Sequence, residues 1–130
     1  AMKRLQRVLH VEDVPSIQVV TRIALEKLGG YEVLSCASGQ AALAEVQAFA
    51  PDLILLDMML PQMTGLELLA QMSVLIDLRK TPVVLLTGQS DEAADPEELR
   101  RLGVRKLLHK PFNPLQLAAQ LEDVWNAEHD

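Results

Sequence analysis

Short apolar runs alternate with longer segments whose apolar residues recur at helical spacing, and the alternation persists along the whole chain. Segments 5–11, 31–36, 52–57, 82–87 and 105–109 read as strands, and 15–28, 39–49, 65–78, 96–102 and 114–126 read as helices. Five βα units in that order predict a single doubly wound α/β domain: a five-stranded parallel sheet, helices on both faces and right-handed crossovers. Within it, Leu53, Ile54, Leu55 and Leu56 are apolar without alternation, as a parallel strand buried on both faces requires. Ile17, Val20, Ala24 and Leu28 have core spacing on the first helix, and Leu117, Leu121 and Val124 have it on the last.

The element boundaries have local causes. Thr64 followed by Glu67 is the spacing of a capping box, and Asp95 before Pro96 places an N-cap ahead of a proline in the first helical turn. Gly29, Gly30 and Gly103 fall where helices must stop. Aromatic residues are few, so the core is aliphatic and Trp125 reads as a packing anchor.

Composition narrows the functional classes. The chain has 130 residues and a formal charge of -6, a balance that disfavours whole-surface binding of nucleic acid. Its basic residues are uneven, with Lys3, Arg4 and Arg7 early and Arg100, Arg101, Arg105, Lys106 and Lys110 late. One cysteine, Cys36, excludes an internal disulfide framework and fits a reducing compartment. No apolar stretch approaches the roughly 18 residues of a membrane span, and no signal-peptide pattern opens the chain, so a cytoplasmic protein is expected. Ala1 ahead of Met2 reads as an added residue, leaving a domain over 2–130 with no output domain visible beyond its last helix.

In a parallel sheet the residues that follow the strands emerge on one edge, where open α/β sheets bind ligands. Here those residues are Glu12 and Asp13, then Asp57, Thr87 and Lys110. Singly each has an ordinary reading: Asp13 as the cap of the helix starting near Pro15, Thr87 as a turn residue, Lys110 as a solvated charge. Together they place three carboxylates, a hydroxyl and an ammonium at one site. Such carboxylates repel unless a cation sits among them, and all-oxygen donors suit a hard ion such as Mg²⁺.

At these residues the chain resembles the receiver domains of two-component response regulators. The resemblance rests on VLHVEDVP at the first strand, LILLDMMLPQMTGLELL around Asp57, VVLLTG closing the fourth strand and GVRKLLHKPF around Lys110. It implies a flavodoxin-like, CheY-like fold with strand order 2-1-3-4-5, and a phosphoacceptor role for Asp57. It implies that Glu12, Asp13, Asp57 and the backbone carbonyl of Met59 hold Mg²⁺, and that Thr87 and Lys110 contact the phosphoryl oxygens. A histidine kinase or histidine phosphotransfer protein would donate the phosphoryl group, and a downstream protein or output domain would read the result. The domain would catalyse only its own phosphorylation and dephosphorylation.

The chain also departs from the family. Leu107 stands three residues before Lys110, where receivers often carry an aromatic switch residue. Met59 and Gln89 occupy the positions two residues after Asp57 and Thr87, which influence water access; a thioether orients water poorly, so slow self-dephosphorylation is expected. Arg105 and Lys106 replace the acidic pair common in receivers that dimerise ahead of a winged helix, and with Arg100 and Arg101 they form a basic face suited to an acidic protein partner. The family usually holds the Lys110–Pro111 step cis. The remaining histidines, His10 and His109 in strands and His129 at the terminus, read as packed or backbone-capping in the first two cases and frayed in the third.

Three rivals are weighed against this reading. A phosphohydrolase of the haloacid-dehalogenase kind needs a second Asp where Met59 stands. A pseudo-receiver that only binds protein would not need Glu12, Asp13, Asp57, Thr87 and Lys110 together. Nucleotide or flavin binding lacks a glycine-rich loop after the first strand.

Overall fold

The run Leu53–Asp57 is the middle strand, β3, of a five-stranded parallel sheet, and every one of its residues is buried. The structure, a computed structural model, describes residues 3–88 and 94–129. Along the chain follow β1 (Arg7–Val11), α1 (Pro15–Gly29), β2 (Glu32–Cys36), α2 (Gly39–Phe49), β3, a short antiparallel pair β4 (Met59–Leu60) and β5 (Met63–Thr64), α3 (Gly65–Met72), β6 (Val83–Thr87), α4 (Pro96–Arg101), β7 (Val104–His109) and α5 (Pro114–His129). The sheet order is β2-β1-β3-β6-β7, which is the predicted 2-1-3-4-5 once the β4–β5 hairpin is set aside.

Alternation along the inner strands builds a core on each face of the sheet. Leu9, Val11, Ile54, Leu56 and Leu85 meet Val46, Phe49, Leu68 and Met72 on one side. Val8, Leu53, Leu55, Val84 and Leu86 meet Leu25, Leu117, Leu121 and Trp125 on the other. Trp125 is the anchor its position predicts: it is 3% exposed, and its Nε1 donates to the Lys3 carbonyl at 3.0 Å. The Thr64–Glu67 capping box forms with both of its hydrogen bonds, and Asp95 caps α4 through the Glu97 amide.

Three local expectations are corrected. On α1 the buried residues are Thr21, Ala24 and Leu25, whereas Val20 is 49% and Leu28 56% exposed; the helix is rotated so that the stripe through 21, 24 and 25 faces the core. The third helix stops at Met72 instead of 78, because the Ser73 hydroxyl turns back onto the Ala70 carbonyl at 2.6 Å and a tight turn from Met72 to Leu75 follows. His129 is not frayed. Its ring stacks on Trp125 with centroids 3.7 Å apart, and its Nδ1 lies 2.8 Å from the Trp125 carbonyl.

Asp52 ties the far end of the sheet together. Its buried carboxylate accepts from the amides of Gln6 and Arg7 at 3.0 and 2.9 Å and pairs with the Lys3 ammonium at 2.7 Å. Burial pushes this carboxyl up, but the Lys3 ammonium and the two amides outweigh it and hold the group below its ordinary value. Removing the acceptor strands two amides, at a cost of about 1–3 kcal/mol. Since the folded state favours the ionised form, this stabilisation is complete above the unfolded carboxyl's pKa of about 4 and is lost as pH falls through the lower folded value. Urea unfolding of wild type and Asp52→Ala is expected to show a gap at pH 7 that narrows at pH 3; a gap that widens in acid would contradict this account.

Candidate functional site

The carboxyl ends of β1, β3, β6 and β7 meet on one edge, and the chain delivers its polar residues there because each strand runs out of apolar sequence at that edge. Asp57, 2% exposed, is held through both oxygens. Its Oδ1 accepts from the Met59 amide at 3.1 Å, and its Oδ2 takes the Lys110 Nζ at 2.5 Å. Lys110 arrives from the loop after β7, where the Lys110–Pro111 peptide is cis and the Lys110 amide bonds the Thr87 carbonyl at 2.8 Å. Its ammonium also lies 3.9 Å from Glu12 Oε1.

Glu12, Asp13 and Asp57 present carboxylate oxygens that all lie within 4.8 Å of one another. Glu12 is fully buried; its Oε2 accepts from the Val14 amide at 3.1 Å, while its Oε1 has no hydrogen-bond partner. Burial pushes the Glu12 carboxyl up to about 7; the charge of Asp57 adds to the rise, while the Val14 amide and Lys110 oppose it. A buried oxygen that makes no hydrogen bond, beside two further carboxylates, is a donor set that suits a hard divalent cation. Asp13, the most solvent-open of the three, does not cap α1: Val14 occupies the N-cap position, with no side-chain cap.

Thr87 closes β6 and is half-buried. Its hydroxyl lies 3.2 Å from Nδ1 of His109, its register partner on β7. His109 is therefore neither packed nor bonded to the backbone, as its strand position had implied; the ring is exposed and on the Thr87 hydroxyl. His10 is fully buried and stays neutral at neutral pH, its pKa lowered to about 4 by burial and by the charge of Lys110. Leu107 is 41% exposed on β7. Gln89 lies outside the described residues.

One feature of the site has no counterpart in the pattern reading. A groove of about 810 Å³ opens beside Lys110 and Gly88, lined by Ile17, Val20, Thr21, Pro111 and Phe112. Its only sequence signal was a stripe of apolar residues on α1, which reads equally well as core.

Residues 8–122 match the family description "Response regulator receiver domain". The chain belongs to that family. Among curated proteins, this receiver is 35% identical over 120 residues to the phosphate regulon transcriptional regulatory protein PhoB of Pseudomonas aeruginosa, covering 90% of the chain and 50% of that protein. It is 34% identical over 124 residues to the aerobic respiration control sensor protein ArcB of Escherichia coli, covering 95% of the chain and 16% of that protein. The receiver thus spans about half the length of the transcriptional regulators it matches. Among solved structures, chemotaxis response regulator CheY4 of Vibrio cholerae superposes with a TM-score of 0.79 at 32% identity, over 92% of this chain and 98% of that one. A CheY-like receiver from Methanospirillum hungatei gives 0.79 at 29% identity, over 95% and 96%. Receiver domains are signalling switches that bind Mg²⁺ through acidic residues, and this receiver has such a cluster in Glu12, Asp13 and Asp57. Among the described residues no helix is long and apolar enough to cross a membrane.

Proposed function

We propose that this receiver is a phosphoacceptor switch in which Asp57 takes a phosphoryl group from a phosphohistidine on a histidine kinase or phosphotransfer protein. The observation that carries the reading is the convergence on Asp57 of two further carboxylates within 4.8 Å and of the Lys110 ammonium. An Asp57 carboxylate oxygen attacks phosphorus in line, the P–O bond forms as the P–N bond breaks, and the electron pair of that bond returns to the donor imidazole. Lys110 is placed to follow charge onto the phosphoryl oxygens, and Thr87 to hydrogen-bond one of them. Glu12, Asp13, Asp57 and the Met59 carbonyl would hold Mg²⁺, which supplies neutralising charge for the crowded carboxylates and the incoming phosphoryl group. The chain's own contribution is position: the Met59 amide orients one Asp57 oxygen, and burial keeps bulk water from the nucleophile.

The reading extends to partners. The apolar groove beside Lys110 gives a donor protein a place to rest next to Asp57. On the far side of β7, Arg100 and Arg105 are paired with Glu97 and Glu128 at 2.5 and 2.7 Å. Lys106 is exposed beside Arg100 and Arg105, while Arg101 is exposed on the neighbouring surface near Arg79; these cations suit an acidic surface on a downstream protein or output domain rather than nucleic acid. A receiver that only binds protein would have no use for three carboxylates crowded within 4.8 Å, one with a buried oxygen that makes no hydrogen bond, so the phosphorylated reading is preferred to a pseudo-receiver.

Amide spectra recorded with Mg²⁺ and beryllofluoride, a phosphoryl mimic, test this. Shifts around Asp57, Thr87 and Lys110 are expected in the wild type and absent in Asp57→Asn; shifts that persist in the variant would place the acceptor elsewhere. Met59 is 55% exposed and offers water only a thioether. Loss of phosphate at 25 °C is therefore expected over minutes or longer, and Met59→Asn is expected to hasten it. A wild-type half-life of seconds, unchanged in that variant, would contradict the role given to Met59.

A further inference from the structure

We propose that His109 is a positioning residue for Thr87: its imidazole ties the Thr87 hydroxyl in the resting state, and phosphoryl binding at Asp57 must break that tie. The inference rests on the phosphoacceptor reading of Asp57. A threonine side chain is short and moves between a few discrete rotamers, so a hydroxyl that turns to a new oxygen acceptor carries its oxygen away from the ring, and the bond is given up whichever of the two groups donates. In this receiver the hydroxyl lies 3.2 Å from His109 Nδ1.

The pairing follows from the sheet. Thr87 and His109 are register partners on the parallel strands β6 and β7, and the adjacent Lys110 amide bonds the Thr87 carbonyl at 2.8 Å. One short stretch of backbone thus carries the cation on Asp57 and the imidazole on Thr87. Leu107, two residues earlier on the strand, is aliphatic and has no group to offer a hydroxyl. His109 is exposed, so a ring released by Thr87 can turn into solvent without leaving a buried gap. The same exposure makes the ring readable by a partner on the β7 edge of the sheet.

The tie opposes the activated arrangement by about the worth of one net hydrogen bond, so its removal is expected to tighten phosphoryl-mimic binding about fivefold. Beryllofluoride affinity in saturating Mg²⁺ is measured for wild type, His109→Leu, Thr87→Val and the double variant. The expected result is a gain of about fivefold from His109→Leu when Thr87 is present and none in the Thr87→Val background, the signature of an interaction between the two side chains. In parallel, the ¹⁵N resonance of His109 Nδ1 is expected to move on adding beryllofluoride to wild type and to stay in place in Thr87→Val. An equal change from His109→Leu in both backgrounds, or no change in either, overturns the tie while leaving Asp57 as acceptor. Binding that survives Asp57→Asn overturns the phosphoacceptor reading itself, and the tie with it.

Discussion

Lys110→Ala is expected to take up a phosphoryl group from a small-molecule donor roughly 10²–10³-fold more slowly than wild type, the usual cost of removing one preorganised charge-stabilising group. In the folded chain the Lys110 ammonium sits 2.5 Å from Asp57 Oδ2 and 3.9 Å from Glu12 Oε1. It is a cation between two buried carboxylates, and in the proposed transfer it would meet the negative charge of the phosphoryl group. Its side chain is 30% exposed and pairs two buried carboxylates, so the folded fraction of the variant is measured by urea unfolding before any loss is assigned to chemistry. Time courses of the intact-mass adduct separate the two effects. Uptake within threefold of wild type, in a folded Lys110→Ala, would remove Lys110 from the transfer step.

Gly65→Ala is expected to damage both fold and site although it adds one methyl group. A Cβ at Gly65 would lie 2.8 Å from the Asp57 carbonyl oxygen, 3.1 Å from Leu85 Cδ1 and 3.2 Å from Met58 Cα. Two of these neighbours are backbone, and the Gly65 amide is already bonded to the Met58 carbonyl at 2.6 Å, so the first turn of α3 cannot simply back away. Overpacking of this kind costs about 1–3 kcal/mol. The strain falls on Asp57 and Met58, so the carboxylate moves with it. Chemical denaturation should show the lower stability, and Mg²⁺ titration followed by amide shifts should show weaker binding. A variant as stable as wild type, with unchanged Mg²⁺ affinity, would mean that the loop after β3 yields freely.

Much of the fold and the site is legible in the sequence. The unbroken apolar run into Asp57 marks a doubly buried strand, and the topology of βα units then puts Glu12, Asp13, Asp57 and Lys110 on one edge without knowledge of any contact. Thr64 and Glu67 announced the start of α3 because a capping box is local chemistry. Where the pattern misled, tertiary contacts had decided the outcome. Val20 and Leu28 have helical spacing, but the core takes Thr21, Ala24 and Leu25, and spacing alone does not say which stripe of an aliphatic helix faces in. The β4–β5 hairpin was missed because its turn puts Gln62 at φ 73, a conformation more often signalled by glycine or asparagine. The bond between Thr87 and His109 depends on the β6–β7 register, which has a shift between Val83 and Val84 and so cannot be counted off the two strands.

The most direct measurement is intact mass after incubation with Mg²⁺ and a small phosphodonor, followed by peptide mapping of the adduct. The account predicts one phosphoryl adduct that requires Mg²⁺, is located on Asp57 and is absent from Asp57→Asn. An adduct of equal yield in Asp57→Asn, or none in a wild-type chain under conditions that modify a control receiver, would contradict it.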